Sequence, residues 1–579
     1  MHPFEVWAPF ARRVSVESGG VVRAMHGPDG RNWWRLSVGE ADDGTDYGFL
    51  LDDDSKRYPD PRSLWQPKGV HELSRVYDET RFAWTDAGFQ APSFLTGILY
   101  ELHVGTFTRE GTFDAAVSRL DYLVELGITH IELMPVNAFE GRHGWGYDGV
   151  AIYAVHEPYG GPDGLKRFVN AAHARGLAVI LDVVYNHFGP SGNYSGKFGP
   201  YIVDAHQTPW GGAVNLEDGE SDVVRRFFCD NALMWLRDYH IDGLRIDAVH
   251  AFVDRSAIHF LEQLAIEVEE LEASTARRLT LIAESDLNDP RVVTPRQRGG
   301  LGIDAQWNDD FHHALFAVLA PEEKKGYYED FGSVSQLAKA IENAFVYDGI
   351  YSEYRKRIHG RPAEQLSHHR FLSYIQNHDQ VGNRAKGERI SQVAGMDRAK
   401  IGAALVLTGP FVPMLFEGEE WAASNPFLYF ANHEDPELAR AVSKGRKREF
   451  AQFGWDPAAI PDPEDSATFE ASKLDWEEAS QSMHAEMLAW YRALIRLRRN
   501  TPCLNDGSRE GTRVRYDEKE KWLRMGRGTI VVICNLDEHE RAFFVPNGAQ
   551  LLLASRETDG PEANLLNLSP NTVAIIALQ

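Results

Sequence analysis

Leu181-Asp182-Val183-Val184-Tyr185-Asn186-His187 reads as the end of a buried strand that runs from Leu177 and delivers an acid at its C-terminal tip. Three stretches downstream repeat the arrangement: Gly243-Leu244-Arg245-Ile246-Asp247, Leu281-Ile282-Ala283-Glu284-Ser285-Asp286 and Gln376-Asn377-His378-Asp379. They follow in order over roughly 200 residues, within the compass of one (β/α)₈ barrel of ~250 residues, whose catalytic groups come from the C-terminal ends of several strands. The surrounding chain fits that barrel. Ile98–Val104, His130–Pro135, Leu177–Asp182, Leu279–Glu284, Phe371–Ile375 and Phe411–Phe416 are near-continuous apolar strands separated by helical patterns, as expected of a parallel sheet covered on both faces. Thr112 is placed to cap a helix on which Phe113, Val117, Leu120 and Val124 recur, with Gly127 ending it. The sixth strand, near Asp304-Ala305-Gln306-Trp307, is faint.

Outside the barrel the pattern changes. Residues 1–92 read as an N-terminal β-sandwich, in which Val14 and Val16, then Trp34, Leu36 and Val38, alternate with polar neighbours between Gly- and Asp-rich turns. Residues 93–502 form the barrel, and 503–579 a C-terminal β-sandwich with Thr529–Cys534 and Thr572–Ile576 as its clearest strands. The Gly- and Pro-rich stretch 188–220 after the third strand is expected to be a long rim loop walling the cleft.

Composition narrows the function. With 60 Lys and Arg against 85 Asp and Glu, a formal charge of −25, the chain is ill suited to a nucleic-acid backbone and suits a neutral ligand. Cys229, Cys503 and Cys534 lie far apart and support neither a disulfide framework nor a zinc site. No apolar run approaches the ~20 residues of a membrane span and the N-terminus does not read as a signal peptide, so a cytoplasmic location is expected.

The strand-end residues carry a specific chemistry. Asp247 and Glu284 end successive strands, which lie ~4.8 Å apart, and retaining glycosidases need their two carboxyl groups ~5–5.5 Å apart. Arg245 shares a face with Asp247, two residues on, and is expected to keep it ionised as a nucleophile. Glu284 needs the opposite tuning, a raised pKa, to protonate a leaving oxygen. Asp379 is a third carboxylate for an oxocarbenium-like transition state, and His187 and His378 are placed to donate to sugar hydroxyls.

These four stretches resemble the signature regions of the α-amylase superfamily of glycoside hydrolases. The resemblance implies Asp247 as nucleophile, Glu284 as general acid/base and Asp379 as transition-state stabiliser, with Asp182, His187, Arg245 and His378 around them. It also implies that Tyr147, in Gly144-Trp145-Gly146-Tyr147-Asp148-Gly149, stacks under the cleaved sugar. Further blocks resemble the maltooligosyltrehalose trehalohydrolase family: Glu101–Phe107, Tyr153–Lys166, Phe416–Trp421 and, most discriminating, His433–Ala439 running into Gly445–Phe450. Membership would imply cleavage of the α-1,4 bond next to a terminal trehalose unit, with maltooligosyltrehalose as substrate, trehalose as product and a maltooligosyltrehalose synthase supplying it. Trp307, Asp309 and Asp310 past strand six, and Trp210 on the long loop, are candidates for the trehalose side of the cleft. Asn432 stands where an aspartate is expected. No required metal and no cofactor are expected, since no acidic loop offers the six to eight oxygens that calcium takes. A glucan branching enzyme or a debranching hydrolase shares the fold and the acids. A non-catalytic amylase-like scaffold is the reading from another class, and the intact acids oppose it.

Overall fold

The computed structural model describes residues 2–578 apart from Gly39, Glu40, Pro209 and Phe453. Eight parallel strands close into a barrel: β1 Leu99–Leu102, β2 His130–Leu133, β3 Ala178–Val183, β4 Gly243–Ile246, β5 Thr280–Ala283, β6 Ala305–Trp307, β7 Phe371–Ser373 and β8 Val412–Phe416. Each pairs with its sequence neighbour and β8 returns to β1. All eight are buried, but for Thr280 at the start of β5, because helices cover them outside and side chains fill them inside. The interior apolar set is Leu99, Ile180, Ile282, Ala305, Trp307, Leu372, Tyr374, Val412 and Met414, capped by Phe94. Residues of opposite parity, such as Val179, Leu181, Leu244 and Leu281, join the larger core under the helices.

Strand register levels the acid-bearing ends. Asp182 pairs with Arg245, and Arg245 with Ile282, so the chain ends of β3, β4 and β5 stand side by side. The sixth strand is only three residues long, which is why its pattern is weak in the sequence. The helix expected across 113–126 is two pieces, Phe113–Val117 and Leu120–Leu126, broken at Ser118 and Arg119. Thr112 caps the first by accepting from the Ala115 N–H, and Gly127 ends the second at φ 103°, while Val124 points to solvent.

The stretch 188–220 is more ordered than a long loop: it holds a helical turn, Ser195–Phe198, and an antiparallel hairpin, Ile202–Thr208 with Gly211–Val214. Its base is built into the N-terminal sheets, which pair strands 2–7 with 33–38 and order 21–24, 14–18, 46–51 and 74–75 side by side. Tyr201 packs against Trp7 at 5.3 Å, Phe198 against Phe49 at 6.1 Å and Tyr194 against Tyr58 at 5.5 Å. Near the C-terminus, strands 512–517, 522–527, 530–535, 572–577 and 550–554 form one sheet. Its face carrying Val531, Ile533, Ala574 and Ile576 packs on the pair 541–544 and 565–568, and its other face, with Val532, Cys534 and Ile575, joins the barrel core. Cys229, Cys503 and Cys534 are free thiols, and no described helix is long and apolar enough to cross a membrane.

Candidate active site

At the C-terminal end of the barrel a cavity of about 520 Å³ opens, lined by Tyr147, His187, Trp210, Arg245, Asp247, Glu284, His378 and Asp379 among others. Its centre is one guanidinium. Arg245 Nη1 donates to Asp182 Oδ2 at 2.7 Å and to Asp247 Oδ1 at 2.8 Å, and Nη2 lies 2.8 Å from Glu284 Oε2. Asp247 and Glu284 are thus joined through the two ends of one rigid fork. Trp307 lies 4.1 Å from the Arg245 carbon and covers it from within the barrel. The backbone turns into the left-handed region at Ala248, φ 40°, which aims the Ala248 N–H at Glu284 Oε2, 2.9 Å away. An alanine held there is a local strain of the kind found at functional sites.

The remaining residues are positioned by specific partners. Asn377 caps the short helix His378–Gly382, accepting from Gln380 N, and this brings Asp379 to the rim. Glu101 on β1 accepts from both the backbone N–H of His378 (2.9 Å) and its Nδ1 (2.5 Å). Tyr147 donates to Asp182 Oδ2 at 2.6 Å and stacks on His378 with ring centres 5.0 Å apart. Gly146 makes that possible: at φ +97° a Cβ would stand 2.1 Å from the Pro135 carbonyl oxygen. Trp210, 47% exposed, stacks on His187 at 5.4 Å.

Other expected contacts lie behind the cavity wall. Asp182 is fully buried and reaches the site only through Arg245 and Tyr147. Trp307 is 2% exposed and lies over Arg245, away from the cavity. Asp309 accepts from Tyr374 and does not line the cavity, and burial raises its carboxyl to about 8. Asp310 turns away altogether: it accepts from the N–H groups of Val346 and Tyr347, both at 2.7 Å, and from Asn288 at 2.8 Å. Its expected place in substrate contact gives way to pinning the chain at 346–347. Asn432 is also outside the cavity and accepts from the Arg142 N–H at 2.8 Å, bracing a turn.

Sequence reasoning did not reach Trp145, His250, Asn383, Tyr429, Val442, Arg446 and Glu449, which also line the cavity. Val442, Arg446 and Glu449 stand on helix Pro436–Gln452, far downstream of the barrel strands. Arg446 donates to Asn383 Oδ1 (2.8 Å) and the Gly382 carbonyl (2.6 Å), and Asn383 Nδ2 donates to Asp379 Oδ1 (2.5 Å). The one signal for this was the block Gly445–Phe450, singled out for resemblance and not for contact.

Electrostatics in the site run opposite to the expected order. Burial, and then the charge of Glu284, push the Asp247 carboxyl well above the carboxylate range, despite Arg245. Burial acts on Glu284 in the same sense, but Arg245, His250 and the Ala248 N–H outweigh it and hold Glu284 below its ordinary value. The cause is geometric: Arg245 reaches Glu284 as well as Asp247. Burial lowers His187 to about 4, whereas Glu101 overcomes burial and raises His378. Among the described residues no His, Cys, Asp and Glu cluster could hold a metal ion.

The family described as alpha amylase, catalytic domain, matches residues 76–199, and a domain of unknown function, DUF3459, matches 507–575. A crystal structure from Salmonella typhimurium described as an α-amylase superposes with a TM-score of 0.91 at 36% identity, covering 99% of this chain and 97% of that one. Closed barrel, acid-bearing strand ends and these matches together define a glycoside hydrolase of the α-amylase superfamily. Malto-oligosyltrehalose trehalohydrolase of Arthrobacter ramosus is 49% identical over 578 residues, spanning 98% of this chain and 99% of the relative. That of Rhizobium sp. (strain M-11) is 48% identical over 580 residues, spanning 99% and 97%. The chain belongs to the malto-oligosyltrehalose trehalohydrolase family.

Proposed function

We propose that this chain hydrolyses the α-1,4 bond joining a maltooligosaccharide to its terminal trehalose unit, with retention, using Asp247 as nucleophile and Glu284 as acid/base. The observation that carries the assignment is the single guanidinium of Arg245, bonded to Asp247 through one nitrogen and to Glu284 through the other. In the first step an Asp247 oxygen attacks the anomeric carbon, the glycosidic bond breaks, and Glu284 gives its proton to the departing trehalose oxygen. In the second, Glu284 takes a proton from water, the hydroxide oxygen bonds to the anomeric carbon, and Asp247 is released.

For this sequence Glu284 must leave Arg245 and be protonated, with Asp247 ionised, when attack begins. The incoming glycosidic oxygen competes for Glu284, and Arg245 is then left to Asp182 and Asp247. Asp379, held by Asn383, faces the oxocarbenium-like sugar, and Tyr147 stacks beneath it. Trp210 and the Val442–Arg446–Glu449 face are the walls we assign to the trehalose side, in place of Trp307 and Asp310.

The reading extends to a cytoplasmic enzyme acting after a maltooligosyltrehalose synthase; the free thiols and the absence of a spanning helix among the described residues support the location. The test offers maltooligosyltrehalose and plain maltooligosaccharide side by side. Free trehalose from the first, with the new reducing end initially α by NMR, is expected. New α-1,6 branches would indicate a branching enzyme, and rapid breakdown of the plain glucan without trehalose would leave a general amylase.

A further inference from the structure

On the outer surface a groove of about 580 Å³ runs between helices Leu120–Leu126 and Ser482–Asn500, lined by Arg119, Tyr122, Trp476, Leu488, Arg492 and Arg496 with small residues between them. It shares no lining residue with the active cleft. On a chain of −25 many arginines are paired with carboxylates, Arg167 with Asp114 and Arg175 with Asp121 for example. Among the described residues none of Arg119, Arg492 and Arg496 is joined to a carboxylate. Nε of Arg119 and Nε of Arg492 are buried and have no acceptor among the described residues.

Aromatic rings lie against two of these cations. Arg119 lies 4.4 Å over Trp476 and Arg492 lies 5.9 Å from Tyr122. Both rings are themselves anchored, Trp476 by donating to the Phe107 carbonyl at 2.6 Å and Tyr122 by donating to Glu420 at 2.9 Å. Ala485, Leu488, Ala489 and Ala493 give the groove an apolar wall.

We propose that this groove binds a phosphate monoester. Three unpaired guanidiniums suit a dianion, and guanidinium forks match phosphate oxygens in pairs. The apolar wall takes the organic part, and the volume falls in the range of about 300–1,000 Å³ usual for small-molecule sites. The chain's net charge repels anions at long range, so affinity rests on these contacts and falls with added salt.

Calorimetric titration of the full chain at low salt, with inorganic phosphate, glucose 6-phosphate, adenosine monophosphate and uncharged glucose, tests this. Saturable binding of at least one ester, tighter than inorganic phosphate and absent for glucose, is expected; which ester binds better distinguishes a sugar from a nucleoside body. Arg492→Gln and Arg496→Glu should each weaken binding by about tenfold or more, with hydrolytic kcat unchanged. Arg496 is exposed, so its reversal should leave the melting temperature unmoved. No binding of either ester at millimolar concentration, esters no tighter than phosphate, or affinity indifferent to both substitutions would overturn the proposal. Apart from kcat, none of these readouts depends on the hydrolase assignment.

Discussion

Arg245 satisfies Asp182, Asp247 and Glu284 with one planar group, a task a lysine ammonium cannot take over with a single nitrogen. Two predictions belong at this scale. Asp247→Asn should fold, with circular dichroism unchanged, and lose trehalose release by about a thousandfold or more, as when a covalent nucleophile is removed; parent-like rates would sink the assignment. The second concerns the proton. Asp247 is raised and Glu284 lowered, the reverse of what attack needs, so we expect substrate binding to shift the proton within the pair without net exchange with solvent. Titrating the slow variant Asp379→Asn with maltooligosyltrehalose in buffers of different ionisation enthalpy should therefore give the same binding enthalpy. A buffer-dependent enthalpy would mean that the pair takes up or releases a proton, and the relocation would be wrong.

Elements differ in how openly the sequence declares them. The ends of β4 and β5 were legible because Arg-x-Asp and a strand-final glutamate place charge where a buried strand meets solvent. That the two acids share one guanidinium was not, because side-chain reach is not written in spacing. β6 was faint since three residues cannot establish a period. Asp310 misled, as an acid beside a tryptophan past a strand looks like a rim residue, and only the turn of the helix Asp309–Leu319 aims it at the 346–347 backbone. Helix Pro436–Gln452 was the larger omission: its charged sequence reads as a solvated surface helix, yet Arg446 reaches Asn383 and, through it, Asp379. Arg446→Met should thus act on Asp379 at one remove. We expect kcat to fall about 100-fold, as for a slight misplacement of a catalytic group, with a smaller change in KM and the melting temperature kept. A loss confined to KM would make Arg446 a binding residue only.

At the scale of the whole molecule, the N-terminal region is fastened to the barrel at both ends. At the lower end Asp86, in the connecting segment, bonds His173 (2.7 Å) and His240 (2.8 Å), and His173 also bonds Asp242 (2.9 Å). Burial opposes charge on Asp86, yet the two histidines hold it at about 2, so its contribution is complete above its ordinary value and is lost as pH falls towards 2. His173 is raised despite burial by Asp242 and Asp86, so its contribution is complete below about 6.5 and is lost as pH rises through its folded value. His240, lowered chiefly by burial, contributes in the opposite sense to His173, its share being complete above about 6.5. The unopposed dependence is that of Asp86, and Asp86→Asn should lessen the fall in melting temperature as pH drops from about 4 towards 2; an unchanged profile would remove the cluster from the account. At the upper end, Trp7, Phe49 and Tyr58 hold Tyr201, Phe198 and Tyr194 at the base of the hairpin that carries Trp210. A chain starting at residue 93 should consequently be insoluble or inactive, where an independent sandwich would leave an active barrel. The same seam bears on recombination. Two relatives spliced at position 92 would bring together aromatic surfaces shaped for different counterparts, and Gly199, where a Cβ would fall 2.7 Å from the Trp7 ring, leaves no slack to absorb the mismatch. Positions 7, 49 and 58 are therefore expected to drift in step with 194, 198 and 201, as one inherited unit split across the chain.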